Sequence, residues 1–290
     1  MFAVASDKPK PEWLLAVRRI LREPLGVLGI VLVILMVGGA IFADLLAAHE
    51  PNKISPRDRF LGPSWDHLLG TDQLGRDLFA RVLHGGRIAL SVALFSTAAS
   101  LVIGIVLGLI AGYGPRWLDN LMLLLFDSIK SFPTVMLALA LVTLFGPSLT
   151  AVVVVVVLVN VPGYARIIRT QTLALKESEF VTAAQSMGAS TARILRVHVM
   201  PNVIGPLLIL ASMDIPVVIA IEAGMSFLGL GVRPPTPSWG AILNDGFTAI
   251  RDTPWIAIAG GLPIIVTTLG FTFLGETLRD VFDPRLKGRG

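Results

Sequence analysis

There is no cysteine among the 290 residues. Disulfides, thiolate metal centres and a cysteine nucleophile are excluded, while the compartment is left open. Charge is scarce: Asp, Glu, Lys and Arg make up 15% of the chain against 54% hydrophobic residues. The dipeptide Gly-Lys never occurs, so there is no G-x-x-x-x-G-K-[ST] phosphate loop. No hydrolytic triad, metal-ligand motif or cofactor fingerprint stands out. These absences make a membrane-bound enzyme the weakest reading.

What is present is long apolar runs. Mean hydropathy is +0.76, and a soluble domain of this size would have to hide nearly every face to bury it. Runs of about 20 residues span a bilayer core instead. Six are expected, over 24–43, 88–112, 121–145, 150–168, 203–230 and 255–278, the fourth opening with six valines from Val152 to Val157. Their length and continuous apolarity predict helices rather than barrel strands, which would alternate over about 10 residues. The fold class expected is therefore an all-α integral membrane protein with six transmembrane helices. The first run is too long for a signal-peptide core, and no strong A-x-A site follows, so it reads as an uncleaved span.

Basic residues set the orientation. With both termini inside, fifteen Lys and Arg residues fall in inner segments and eight in outer loops. This bias predicts cytoplasmic termini. The net charge of +4 then reflects orientation, with no need for a nucleic-acid partner.

One inner segment stands apart: FVTAAQSMGASTARILRVHVMPN, residues 180–202. Phe180, Ala183, Ala184 and Met187 recur at i, i+3, i+4 and i+7, one face of a helix. Gly188 suits a helix C-terminus, Ser190 a second N-cap, and Pro201 marks the start of the fifth span. Two alanines on an exposed apolar face make a flat patch that another protein can approach closely. An amphipathic pair lying on the membrane or packing under the bundle is an equally good account of the residues alone.

The segment resembles the EAA loop of binding-protein-dependent ABC importer permeases, E-A-A, three residues, G, nine residues, I-x-L-P. Here the frame is Thr182-Ala183-Ala184, three residues, Gly188, nine residues, His198-Val199-Met200-Pro201. Thr182 replaces the Glu, His198 the Ile and Met200 the Leu. Four further blocks are similar to the dipeptide/oligopeptide/nickel branch and its C-type permease subunit: HLLGTDQLGRDLFARVLHGGRIAL (67–90), SFLGLG (226–231), PPTPSWGAILNDG (234–246) and LRDVFDPRL (278–286).

The resemblance implies the type I permease fold in a bacterial inner membrane, and an importer of dipeptides or short oligopeptides. It implies a second homologous permease, two ATPase subunits that hold ATP and magnesium, and a solute-binding protein. No cofactor is expected in this chain. It also implies residues 1–86 as tail, first helix and outer loop, 87–278 as the permease domain with a coupling loop near 172–202, and 279–290 as a tail. Phe180, Thr182, Ala183, Ala184, Met187, Gly188, Ala189 and Pro201 are then the ATPase-coupling residues. Nickel chelates, glutathione and other peptide-like solutes are the alternatives. A gradient-driven transporter is a further rival, but no convincing internal repeat supports it.

Ionisable residues inside spans are costly and face cavities or partners. Asp127 and Lys130 read as a self-neutralising pair on the third span, and Pro133 as its kink. Asp214 and Glu222, on the fifth, read either as lining of a solute path, with Asp127 a further candidate, or, for Glu222, as a group near the wet outer surface. His49, His67 and His84 share the first outer loop at a spacing that matches no ligand motif, and read as polar loop residues. Arg76 and Asp77 have no role assignable from sequence.

Overall fold

The computed structural model describes residues 20–282. The basic residues Lys8, Lys10, Arg18, Arg19, Arg285, Lys287 and Arg289 lie outside that range. Within it the chain is helical, with one isolated antiparallel bridge, Thr71 to Asp77. The helices are α1 (Pro24–Ile41), α2 (Ala43–Leu46), α3 (Leu78–Tyr113), α4 (Arg116–Ser131), α5 (Thr134–Phe145), α6 (Leu149–Lys176), α7 (Glu179–Ser186), α8 (Thr191–Phe227), α9 (Trp239–Thr248) and α10 (Trp255–Phe282).

Polar side chains start several of them. Asp77 accepts from the Ala80 amide at 2.7 Å to open α3, and Ser148 and Ser238 do the same for α6 and α9. Each satisfies an amide that the first helical turn leaves without a partner.

Among the described residues five helices are long and apolar enough to cross a membrane: α1, α3, α6, α8 and α10. The expected third span is broken. α4 and α5 meet at 91°, with Phe132 and Pro133 both extended at the break. Proline has no amide to continue the helix and pushes the residue before it into the β region. The pair makes a sixth crossing only if both halves count as one span. α3 also begins at Leu78, earlier than the expected 88, because Asp77 caps it inside the polar loop. At 36 residues it is roughly 54 Å long and joins the two ends of the bundle.

The most extensive helix pairing among the described residues is α3 with α6. Gly104, Gly108 and Gly112 recur every fourth residue of α3. A Cβ there would lie 2.5 Å from Tyr164 Cβ, 2.6 Å from the Ala165 carbonyl and 2.7 Å from Thr172 Cβ. Small residues at this spacing let backbones touch where lipid offers no hydrophobic drive. Buried Trp239 locks α9 to α3, donating from Nε1 to the Val82 carbonyl at 2.8 Å. Apolar side chains such as Ile34, Leu94, Phe95 and Leu144 point outward, as a bilayer-facing surface requires.

Candidate functional site

The segment at 177–201 sits beside Tyr113, at the opposite end of α3 from the polar loop. α7 ends in a paired-bond turn: the Gly188 amide donates to the Gln185 carbonyl at 2.9 Å and the Ala189 amide to the Ala184 carbonyl at 3.0 Å. This is the Schellman pattern, and Gly188 takes the left-handed φ of +78° it requires. Ser190 then caps α8, accepting from the Arg193 amide.

α8 differs from the expectation. The regular α-helix of the span begins at Met200 with Pro201 in its first turn, as expected, but no loop precedes it, and the chain is helical from Thr191. The six residues Ile194–Val199 form a π turn just before Pro201. A wider turn suits this position, since proline lacks the amide that would bond four residues back and its ring crowds that carbonyl.

Burial divides the segment in two. Val181, Ala184, Ile194, Val199 and Val203 pack with Tyr164 and Ile168 of α6. Phe180, Thr182, Ala183, Met187, Gly188 and Pro201 are exposed, and Ala189 is half-buried. The sequence expectation of one face holding both alanines is therefore corrected. Ala184 is 3% exposed and points into the molecule beside Val181, while Met187 is 82% exposed. The outward stripe is Phe180, Ala183 and Met187, and the Phe180 ring stands 6.1 Å from that of His198. Thr182 bonds only to its own helix, through the Ser178 carbonyl. Gln185 donates to the Tyr113 hydroxyl at 3.0 Å, and the Lys176 ammonium bonds the Tyr113 carbonyl at 3.2 Å. The segment is thus tied to α3, α6 and α8 together.

The intramembrane charges also differ from expectation. Asp127 pairs with Arg166 of α6, not with Lys130. Arg169, one turn on, grips Asp119, with Nη2 2.6 Å from Oδ2. Both α4 acids are therefore met by α6 arginines, because α4 lies along α6 and three residues place both guanidinium groups on one face. Lys130 is left within charge range of half-buried Asp214 on α8. The buried Tyr164 hydroxyl lies beside the same carboxylate, without reaching hydrogen-bond geometry. Glu222 is not near wet surface. It is 1% exposed, accepts from the Ser226 hydroxyl at 2.7 Å, and its Oε2 has no partner.

At the other end lies a cluster that sequence reasoning missed. Asp72 receives Arg76 Nε at 2.6 Å and the amides of Leu74 and Arg76 at 2.9 and 3.0 Å. Arg81 Nε lies 3.7 Å from the same carboxylate, and Asp245 of α9 stands 3.6 Å from Arg76. Gly75, at φ +73°, passes so close to Ser55 that a Cβ would meet its carbonyl at 1.8 Å. The Gly75-Arg76-Asp77 run therefore binds the polar loop to α3 and α9. The one signal for it in the sequence was two Asp and two Arg within ten positions of a helix start. Nearby, Arg87 and then His84 hold the Asp44 carboxyl below the usual carboxylate range by hydrogen bonding to it.

The model of the family described as "Binding-protein-dependent transport system inner membrane component" matches residues 104–288. The chain belongs to that family. This permease subunit also matches the N-terminal transmembrane domain of oligopeptide transport permease C over residues 12–63. It is 37% identical over 97% of its length to a dipeptide transport system permease protein of Alkalihalophilus pseudofirmus, 95% of which is covered. It is 40% identical over 93% of its length to a glutathione transport system permease protein of Pectobacterium atrosepticum, 90% of which is covered. Among solved structures, an inward-facing MetNI methionine ABC transporter chain matches 70% of this chain and 97% of its own with a TM-score of 0.56. At 19% identity that likeness speaks for the fold alone. The chain is thus a multi-pass, non-catalytic inner-membrane permease of the ABC importer type I fold, and ATP hydrolysis belongs to a separate chain.

Proposed function

We propose that this permease subunit carries dipeptides or short oligopeptides inward, as one half of a heterodimeric path with a second homologous permease. Two ATPase subunits, holding ATP and magnesium, engage the 177–201 segment from the cytoplasm, and a binding protein delivers solute to the other face. The N- and C-termini are then cytoplasmic, and the α4–α5 pair counts as the third of six spans.

The observation that carries this reading is the two-sided α7. Its outer face, Phe180, Ala183 and Met187, is apolar and unpartnered, while Val181 and Ala184 are wedged against α6 and α8. A push on the outer face is passed to two spans through a close-packed contact, which transmits displacement because interiors resist compression. Tyr164 belongs to that same contact and lies beside Asp214. Asp214, with Lys130 across from it, is the best candidate for a group lining the solute path. A zwitterionic peptide offers both charges to such a pair. Glu222 and Asp127 are weaker candidates, the first walled off and the second met by Arg166.

Glutathione is the second solute reading, and the 40% identity to a glutathione permease favours it. Reconstitution of this chain with its permease, ATPase and binding-protein partners decides between them. ATP-dependent uptake of a labelled dipeptide, competed by other dipeptides and not by glutathione, is expected. Uptake of glutathione without uptake of peptides would overturn the peptide assignment.

A further inference from the structure

The fold brings together two histidines that are far apart in the loop. His49 follows α2, and His67 precedes the Asp72 cluster, yet their ring centroids are 4.7 Å apart, tilted by 32°. Asp66 completes a group whose ligand atoms all lie within 4.8 Å of one another. We propose that His49, Asp66 and His67 form a binding site for a borderline first-row divalent cation, with Zn2+ as the best fit.

The geometry of His67 carries this. Its Nδ1 is 2.8 Å from Asp77 Oδ2. Ionised Asp77 accepts only, so this contact puts the proton on Nδ1 and leaves the Nε2 lone pair free. A carboxylate behind a histidine is the arrangement that orients and strengthens a metal-binding imidazole. Asp77 cannot swing away, since its other oxygen holds the Ala80 amide of α3. The His67 backbone is equally fixed, its carbonyl accepting from Ser64 and Gly70 at 2.9 and 2.8 Å.

The remaining distances fit a site awaiting closure. His67 Nε2 lies 3.8 Å from Asp66 Oδ2, and His49 Nε2 lies 3.7 Å from Asp66 Oδ1. Neither is a hydrogen bond, so these contacts do not occupy the lone pairs. Tetrahedral zinc holds its ligand atoms about 3.4 Å apart, from metal–ligand distances near 2.0–2.1 Å. The two contacts use different Asp66 oxygens, and the three ligand atoms lie within 4.8 Å of one another, so closure to zinc spacing takes shifts of up to about 1.4 Å. Asp66, 83% exposed, and half-buried His49 can share them, leaving a fourth position for water. Two imidazoles and one carboxylate favour zinc, cobalt or nickel over magnesium or calcium, which prefer all-oxygen ligation. His84 takes no part, since it bonds Asp44 and the Ala80 carbonyl. A bound ion would staple residue 49 to residue 66 and close the intervening loop, which contains exposed Arg57 and Arg59.

The test uses the tag-free full chain within its transporter complex in nanodiscs, stripped with chelator. Cobalt(II) is titrated by its visible absorption and displaced by zinc. Wild type is expected to bind roughly one ion at this site with a tetrahedral spectrum. His49→Ala and Asp66→Asn should each weaken binding by more than about tenfold, and His84→Ala should not. Zinc should also slow tryptic cleavage at Arg57 and Arg59 in wild type and not in Asp66→Asn. Asp66→Asn is conservative and exposed, so it keeps the test informative if His49→Ala fails to assemble. Absence of cobalt and zinc binding by wild type, or wild-type affinity in Asp66→Asn, overturns the proposal.

Discussion

Asp127 on α4 pairs with Arg166, 39 positions away on α6, although Lys130 stands one helical turn from it on its own helix. Lys130 lies within charge range of Asp214 on α8. The pairing crosses from α4 to α6, so it reports tertiary placement rather than local charge balance. A double-mutant cycle should show it. Asp127→Asn and Arg166→Gln are expected to be non-additive in the unfolding of the reconstituted chain, with a coupling of roughly 0.2–1 kcal/mol, the range for partly exposed pairs. Asp127→Asn and Lys130→Gln should simply add. Coupling in the second cycle and not the first would refute the pairing.

The Asp214 assignment predicts a transport effect. At matched protein levels, Asp214→Asn should lower the uptake rate more than Glu222→Gln, because Glu222 is sealed in the core and Asp214 is only half-buried. Solute binding to the separate binding protein should be unchanged. A greater loss from Glu222→Gln would put Glu222, not Asp214, on the path.

Ala183 and Ala184 should fail in different ways. Ala183→Trp adds bulk to the exposed stripe, so the chain should stay folded in the membrane but lose ATPase co-purification and solute-stimulated hydrolysis. Ala184→Trp overfills a packed contact, at a typical cost of about 1–3 kcal/mol, and should lower the thermal stability of the chain itself. Identical behaviour of the two variants would mean that α7 is not two-sided.

Gly188 is a conformational case rather than a steric one. A Cβ there would meet nothing within 4 Å, so only the left-handed φ penalises a side chain, by roughly 1–2 kcal/mol. Gly188→Val should weaken ATPase association, and Gly188→Asn should recover much of it, since Asn tolerates that region. Equal losses in the two variants would point to a packing role for Gly188 in the assembled transporter.

Asp72 is the structural counterpart at the other end. It is 1% exposed and faces both Arg76 and Arg81. Asp72→Asn leaves two buried guanidinium groups short of their counter-charge. A destabilisation of about 3–5 kcal/mol is expected, the usual cost of breaking a buried pair. It should appear as reduced yield and earlier proteolysis of the loop after α2. A loss under about 1 kcal/mol would mean that water reaches the cluster.

Much was decided by the sequence alone. Apolar runs near bilayer length specify helices because lipid offers backbone groups no other partner. The Gly188 turn and the Ser190 cap were legible because each is a local rule about φ or one unpaired amide. Tertiary structure decided what local rules do not reach. Which alanine of Ala183 and Ala184 faces inward depends on where α6 and α8 lie, and Val181, outside the expected stripe, proved to be the inner anchor. Asp127 had one cation, Lys130, a turn away on its own helix, and the packing of α4 along α6 paired it with Arg166 instead. His49 and His67 looked unrelated along the chain, and the fold of the polar loop around Asp72 set them side by side. Period and capping act over a few residues, whereas burial, charge pairing and ligand geometry depend on distances between segments that only the folded chain sets.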